Sequence, residues 1–408
     1  MQNVSSRSLH AYQSPIRKLM KYANEATKKG KNIYYLNIGQ PDVPAPVSPS
    51  QLQMNWDRDY IPYGSSEGEE SLRRAFREYY QSWGIDLDEE DILVTTGASE
   101  ALLLSLYAVL DPQEELIVQE PFYANYNGIS QMAGVNIKPV YTPFEEGFPI
   151  PGIEVFENLL TEKTKAFLLC NPNNPTGKVY QKEMLLQLAE LVLKHNLFLI
   201  VDEVYREFCY DNEFFSVLNL DHIRDRVIVL DSISKRYNSC GVRIGCIVTR
   251  NSKIREMILK YAQLRLSPPM MGQQYAEQVL NPPKEFMDDM IEKFRARRDY
   301  LSERLRGIEG VEVNDPEGAF YVFARLPVEN SEEFCKWMLT DFEHEGQTVM
   351  LAPGNGFYAT EGKGKDQVRL AYVLGLDKLE KAMDCLEKGL KNYPLSYINP
   401  RYKMNATL

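Results

Sequence analysis

Three apolar runs, each closed by a polar residue, constrain this chain more than anything else in it. They are Lys165-Ala-Phe-Leu-Leu-Cys170, Leu197-Phe-Leu-Ile-Val201 and Val227-Ile-Val-Leu230. Each is too short for a buried helix and shows no polar alternation, so it reads as a strand buried on both faces. Successive runs lie about one βαβ unit, roughly thirty residues, apart. Ile92-Leu-Val-Thr-Thr96 and Leu116-Ile-Val118 extend the series, and Gly245-Cys-Ile-Val248 returns after a tight connection. Such strands with helical crossovers predict an α/β fold whose mainly parallel sheet is sandwiched by helices.

The chain has 408 residues, more than one hydrophobic core usually serves, so a second body is expected. Beyond about Pro269 the texture changes to long charged helices, one over 286–305 and another over 331–345. Between and after them come short strands at Gly318-Ala-Phe-Tyr-Val-Phe323, which alternates like an antiparallel strand, Val349-Met-Leu-Ala-Pro-Gly354 and Val368-Arg-Leu-Ala-Tyr-Val373. An amphipathic helix over 379–390 closes the pattern. This predicts a smaller α+β domain. Near the start, Ile16, Leu19, Met20 and Ala23 recur at helical spacing, and a strand runs into Gly39-Gln-Pro-Asp42. The Pro/Ser-rich stretch 43–49 is then a connector. The expected division is an N-terminal segment, 1–46, joining the small domain; a large cofactor-binding domain, 47–275; and a small C-terminal domain, 276–408.

Ligands of a parallel sheet bind beyond the carboxyl ends of its strands. Asn174, Asp202 and Lys235 each follow one of the three runs, which sets an amide, a carboxylate and an amine on one rim. The turn Gly97-Ala-Ser99 leads from a strand straight into an apolar helix, where unpaired N–H groups and the helix dipole favour an anion. Ser232, Ser234 and Arg243 crowd the same end. A lysine amine there can form a Schiff base with an aldehyde cofactor, and an acid at a pyridine nitrogen makes pyridoxal 5'-phosphate an electron sink. Asp202 has the charge for that partner. Tyr205 and Asn174 could bond the ring oxygen, Tyr123 could cover the ring face, and Gly97, Ala98, Ser99, Ser232, Ser234 and Arg243 could share the phosphate. Gly39 either lets a backbone group approach a ligand or serves a turn. A competing reading takes Ser232-Ile-Ser-Lys235 as an acyl-serine signature, or Ser99 as a hydrolase nucleophile, although no supporting block or histidine arrangement accompanies either serine.

Asn171-Pro-Asn-Asn-Pro-Thr-Gly177, Asp202-Glu-Val-Tyr205 and Ser232-Ile-Ser-Lys235 with Arg243-Ile-Gly245 resemble the signature blocks of the fold-type I pyridoxal-phosphate aminotransferases, the aspartate aminotransferase superfamily. The likeness spans nearly the whole chain, from Gly39-Gln-Pro-Asp42 through Tyr63, Pro121-Phe-Tyr123 and Gly318-Ala-Phe-Tyr321 to Val368-Arg-Leu370. It implies amino transfer from an L-amino acid, with an aspartate-like dicarboxylic donor favoured, to a 2-oxo acid by a ping-pong mechanism. It also implies that Lys235 carries the cofactor and moves the proton. Arg369 would hold the substrate α-carboxylate with Asn174 and the Gly39 backbone. Tyr63 would reach the phosphate of a neighbouring subunit, so the active sites would be shared in a homodimer. A carbon–sulfur β-lyase or a decarboxylase would use the same rim. The chain departs from the usual pattern at Arg236-Tyr-Asn-Ser-Cys240, and Arg236 and Arg265 are candidates for a distal carboxylate, each with a structural or solvent-facing alternative.

A net charge of -11 argues against nucleic acid or an anionic membrane as partner, and no DNA-binding extension supports a cofactor-sensing regulator. Six cysteines without a Cys-x-x-Cys pair, and a start without an apolar signal core, point to a soluble protein of the reducing cytoplasm.

Overall fold

The computed structural model describes residues 4–9, 11–53, 59–394, 397 and 399. In chain order its strands are β1 (Asn32–Tyr35), β2 (Ile92–Thr95), β3 (Glu115–Glu120), β4 (Asn136–Tyr141), β5 (Thr164–Cys170), β6 (Phe198–Asp202) and β7 (Val227–Ser232). There follow β8 (Gly245–Val248), β9 (Glu312–Val313), β10 (Tyr321–Arg325), β11 (Gln347–Met350), β12 (Ala352–Pro353) and β13 (Gln367–Ala371). Seven of them form one sheet in the order β2-β8-β7-β6-β5-β3-β4. All neighbours are parallel except β8, which runs against both β2 and β7. The fold is α/β and like that of aspartate aminotransferases, as the strand pattern and the family resemblance imply. Its β5 to β7 are buried almost throughout because every residue is packed by helices from one side or the other.

The register explains where chemistry can occur. Cys170 pairs with Asp202, and Asp202 with Leu230, so β5, β6 and β7 end nearly level. Level ends deliver the 171–177 loop, Asp202 and the one-turn helix Ile233–Arg236 to one edge. The antiparallel β8 returns residues 240–244 to the same edge. It thereby lies against the start of the helix Ala98–Val109, since Thr95 pairs with Gly245.

A second, antiparallel sheet has the order β12-β13-β10-β9, and β1 pairs in parallel with β11. The stretch at 318–323 does not alternate: β10 is buried at every position, packed on both faces. Residues 349–354 break into two strands of different sheets. The helix expected over 331–345 stops at Thr340, and the N-terminal helix spans Met20–Lys28 only. Ahead of it the Ile16 carbonyl is taken by the Asn37 side-chain amide, 2.8 Å away, and Pro15 fills the space over Gly356. Tertiary contacts thus override helical spacing at 14–19. The expected second body also includes residues 395–396, 398 and 400–408, which lie outside the described residues, as do residues 1–3 of the N-terminal start.

Candidate active site

A cavity of about 540 Å³ opens at the carboxyl ends of β5 to β7. Of the sequence-predicted residues, Gly39, Ala98, Ser99, Tyr123, Asn174, Asp202, Tyr205, Ser232, Ser234, Lys235, Arg243 and Arg369 line it. Gly97 does not line it but lies against Arg243, which does: a methyl group on the Gly97 α-carbon would meet the guanidinium at 2.5 Å. Its φ of +76° also requires glycine. Tyr63 does not line the cavity; it is 82% exposed.

Lys235 is the amine of the site. Its Nζ donates to the Gly39 carbonyl at 2.9 Å and lies 3.9 Å from the Cys240 sulfur. Burial works against its charge, while Tyr321, Cys240 and Tyr123 favour it and Arg369 opposes it; the balance lies above the usual lysine value. Asp202 is buried. Its carboxylate accepts from the Tyr126 hydroxyl at 2.7 Å and from the Val204 N–H at 3.3 Å, and among the described residues no cation forms an ion pair with it. Burial pushes its carboxyl up to about 6 against those hydrogen bonds; Asp231 adds to the rise and Lys235 reduces it.

That shift has a measurable consequence. Between pH 3.8 and about 6 the folded chain binds more protons at Asp202 than the unfolded chain does, so stability falls as pH rises through this window. Unfolding of the cofactor-free protein in urea at pH 4 and pH 7 is expected to show Asp202→Asn gaining about 2 kcal/mol on wild type at the higher pH. An equal difference at both pH values would contradict the placement of this carboxyl.

Arg369 is buried, and its guanidinium donates to the Asn174 side-chain oxygen at 2.9 Å and to the Asn37 carbonyl at 2.8 Å. Its Nε has no partner among the described residues. A buried guanidinium with donors to spare is suited to a carboxylate. The Tyr205 hydroxyl lies 2.8 Å from that of Tyr321. Ser232 is turned inward: its hydroxyl donates to the Ile244 carbonyl at 2.8 Å and accepts from the Ser234 N–H at 3.1 Å, capping the lysine turn. None of the histidines among the described residues lines the cavity, and the Ser232 hydroxyl donates to a backbone carbonyl while the Lys235 amine is turned to Gly39, so neither serine is set up as a nucleophile.

At the helix Ala98–Val109 the N-cap is Gly97 and no side chain caps the first turn. Ala98 and Ser99 of that first turn line the cavity together with Arg243. An uncapped helix start, a guanidinium and two serines form an anion site. Together with an unpaired buried acid and a single amine, the residues fit pyridoxal phosphate: an anionic group, a ring nitrogen able to carry a proton, and an aldehyde.

The sequence profile described as "Aminotransferase class I and II" matches residues 31–386. The chain belongs to this family of aminotransferases. Members of the family are pyridoxal-phosphate-dependent transaminases, and the enzyme described here is one. An aspartate aminotransferase of Thermotoga maritima is 32% identical over 93% of this chain and 97% of its own length. An aromatic-amino-acid aminotransferase of Thermococcus litoralis is 30% identical over 94% and 97%. Among solved structures, an alanine aminotransferase from Pyrococcus furiosus superposes with a TM-score of 0.83 at 31% identity, covering 95% of this chain and all of that one.

Sequence reasoning missed three members of this aminotransferase site. Tyr126 holds Asp202, and its only signal was its position one helical turn after Tyr123. Tyr321 sits opposite Tyr205. Cys240 is the one residue of the unusual 236–240 insert to reach the cavity. Arg236 and Arg265 do not reach it. Arg236 is fully buried and pairs with Asp231, while Arg265 pairs with Glu100 at 3.1 Å and donates to the Ser66 and Val94 carbonyls. Both are structural: Arg236 is shut in between Asp231 and the Tyr79 ring, away from the cavity, and Arg265 is bound on several sides by its own chain.

Proposed function

We propose that the enzyme moves the amino group of an L-amino acid, with an aspartate-like dicarboxylic donor favoured, to a 2-oxo acid by a ping-pong mechanism, with pyridoxal phosphate held at Lys235. The observation that carries this reading is the convergence of the Lys235 amine, the unpaired Asp202 carboxylate and the Arg369 guanidinium on one cavity. When bound, the cofactor supplies a carbonyl for amines to condense with and a ring that takes up the electron pair released at the substrate α-carbon. Gly97, Ala98, Ser99, Ser234 and Arg243 would hold its phosphate, with Ser232 shaping the turn beneath. Asp202, kept in place by Tyr126, would hold a proton at the ring nitrogen; Tyr205 and Asn174 would bond the ring oxygen, and Tyr123 would cover the ring. Arg369 with Asn174 would orient the donor α-carboxylate, and the Gly39 carbonyl would steer the Lys235 amine as it moves a proton at the donor α-carbon.

The tests follow from the two half-reactions. Holoenzyme given aspartate alone is expected to release one equivalent of its 2-oxo acid per site and then stop until a second 2-oxo acid is added. With cysteine as the sole substrate, continuous release of pyruvate, ammonia and sulfide would indicate a β-lyase instead, and release of carbon dioxide from aspartate a decarboxylase.

The same proposal includes a homodimer. Tyr60, Ile61 and Tyr63 are exposed, as are Leu264, Leu266 and Met271, and the Ser66–Leu266 hydrogen bond ties the two apolar segments together. Such segments are suited to burial against a second copy, which would carry Tyr63 towards the partner's phosphate site. Sedimentation as a monomer would count against it. The division into 1–46 with 276–408 and 47–275 is supported by the β1–β11 pairing. A cytoplasmic location accords with the six free cysteines, and among the described residues no helix is long and apolar enough to cross a membrane.

A further inference from the structure

We infer that Arg17 reads the side-chain carboxylate of a dicarboxylic donor. This rests on the proposed transamination and names a residue for its substrate class. Among the described residues the cavity lining carries four cationic side chains, Arg17, Lys235, Arg243 and Arg369, against one acid, Asp202. In the proposed function Lys235, Arg243 and Asp202 serve the cofactor and Arg369 serves the α-carboxylate. Arg17 is the cation left over.

Its setting singles it out further. Among the described residues no carboxylate pairs with Arg17, whereas the next residue, Lys18, pairs with Glu332 and is neutralised away from the cavity. The backbone that carries Arg17 is held in place. Asn37 donates to the Ile16 carbonyl at 2.8 Å and offers its own carbonyl to Arg369 at 2.8 Å, so two hydrogen bonds join this backbone to the α-carboxylate residue. Tyr12 donates to the Gly356 carbonyl at 2.6 Å and secures the preceding turn. The neighbouring lining residues Ser14, Gln40 and Asn125 are polar but uncharged. A donor anchored by its α-carboxylate at Arg369 therefore meets one further positive charge, and an aspartate or glutamate side chain supplies its complement.

The test compares wild type with Arg17→Gln on aspartate, glutamate and alanine, and measures calorimetric binding of succinate and propionate to the holoenzyme. The ratio of kcat/KM for aspartate over alanine is expected to fall about 10-fold in Arg17→Gln, with succinate binding weakened more than propionate binding. Arg17→Lys is expected to restore part of both. An unchanged ratio, or equal losses on all donors and both acids, would show Arg17 to be a solvated surface arginine and overturn the inference. If wild type transaminates no donor, the functional reading fails instead, and the succinate-to-propionate comparison still decides Arg17.

Discussion

Lys235→Ala is expected to lower transamination by at least about 10³-fold, because it removes both the amine that holds the cofactor and the group that moves the substrate proton. Among the described residues no other lysine lines the cavity to substitute for it. Borohydride reduction of the wild-type holoenzyme is expected to leave the cofactor's mass on the peptide containing Lys235, and to leave the corresponding peptide of Lys235→Ala unmodified. Lys235→Arg separates charge from chemistry. It keeps the cation beside the Gly39 carbonyl but cannot give up a proton near neutral pH, so it should be as inactive as the alanine variant. Label on another peptide, or activity retained by either variant, would remove Lys235 from the mechanism.

The second large effect concerns stability. Arg236 and Asp231 are fully buried, and the Arg236 guanidinium stacks 4.0 Å from the Tyr79 ring centroid. Tyr80 donates to the other Asp231 oxygen at 3.0 Å, and Arg206 lies 3.7 Å from it while pairing with Glu203 at 2.7 Å. Arg236→Ala leaves Asp231 in a dry interior short of a partner and opens a void against Tyr79. The expected cost in urea unfolding is about 3–5 kcal/mol. Adding Asp231→Asn to Arg236→Ala should recover part of that loss, since the stranded charge goes with it. A single-variant cost under about 1 kcal/mol, the range of an exposed ion pair, would contradict this account.

The parts of the architecture that were legible in the sequence are those where local pattern and burial agree. The apolar runs ending at Cys170, Asp202 and Leu230 announce strands, and level strand ends follow once they are parallel. Asn174, Asp202 and Lys235 could therefore be brought to one cavity from spacing alone. What stayed hidden depends on contacts between distant segments. Nothing near Arg236 shows that Asp231 will turn back into the interior to meet it, and a bare arginine after the lysine reads equally well as a ligand group. Tyr126 reads as a core aromatic until β6 sets Asp202 beside its hydroxyl. At Ile16 the helical spacing misleads, because Asn37 claims its carbonyl from outside the segment.

The pairing of β1 with β11 also orders events during synthesis. Asn32 meets Gln347, so β1 leaves the ribosome long before the partner it must wait for. The seven-stranded sheet, complete at Val248, has all its strands long before that. Closing so long a loop is slow as well as late. The half of the cavity built on β5 to β7 can thus assemble first. The wall that holds Arg17, Asn37 and Gly39 must join it afterwards, and a nascent chain keeps its substrate side open until β11 has been made.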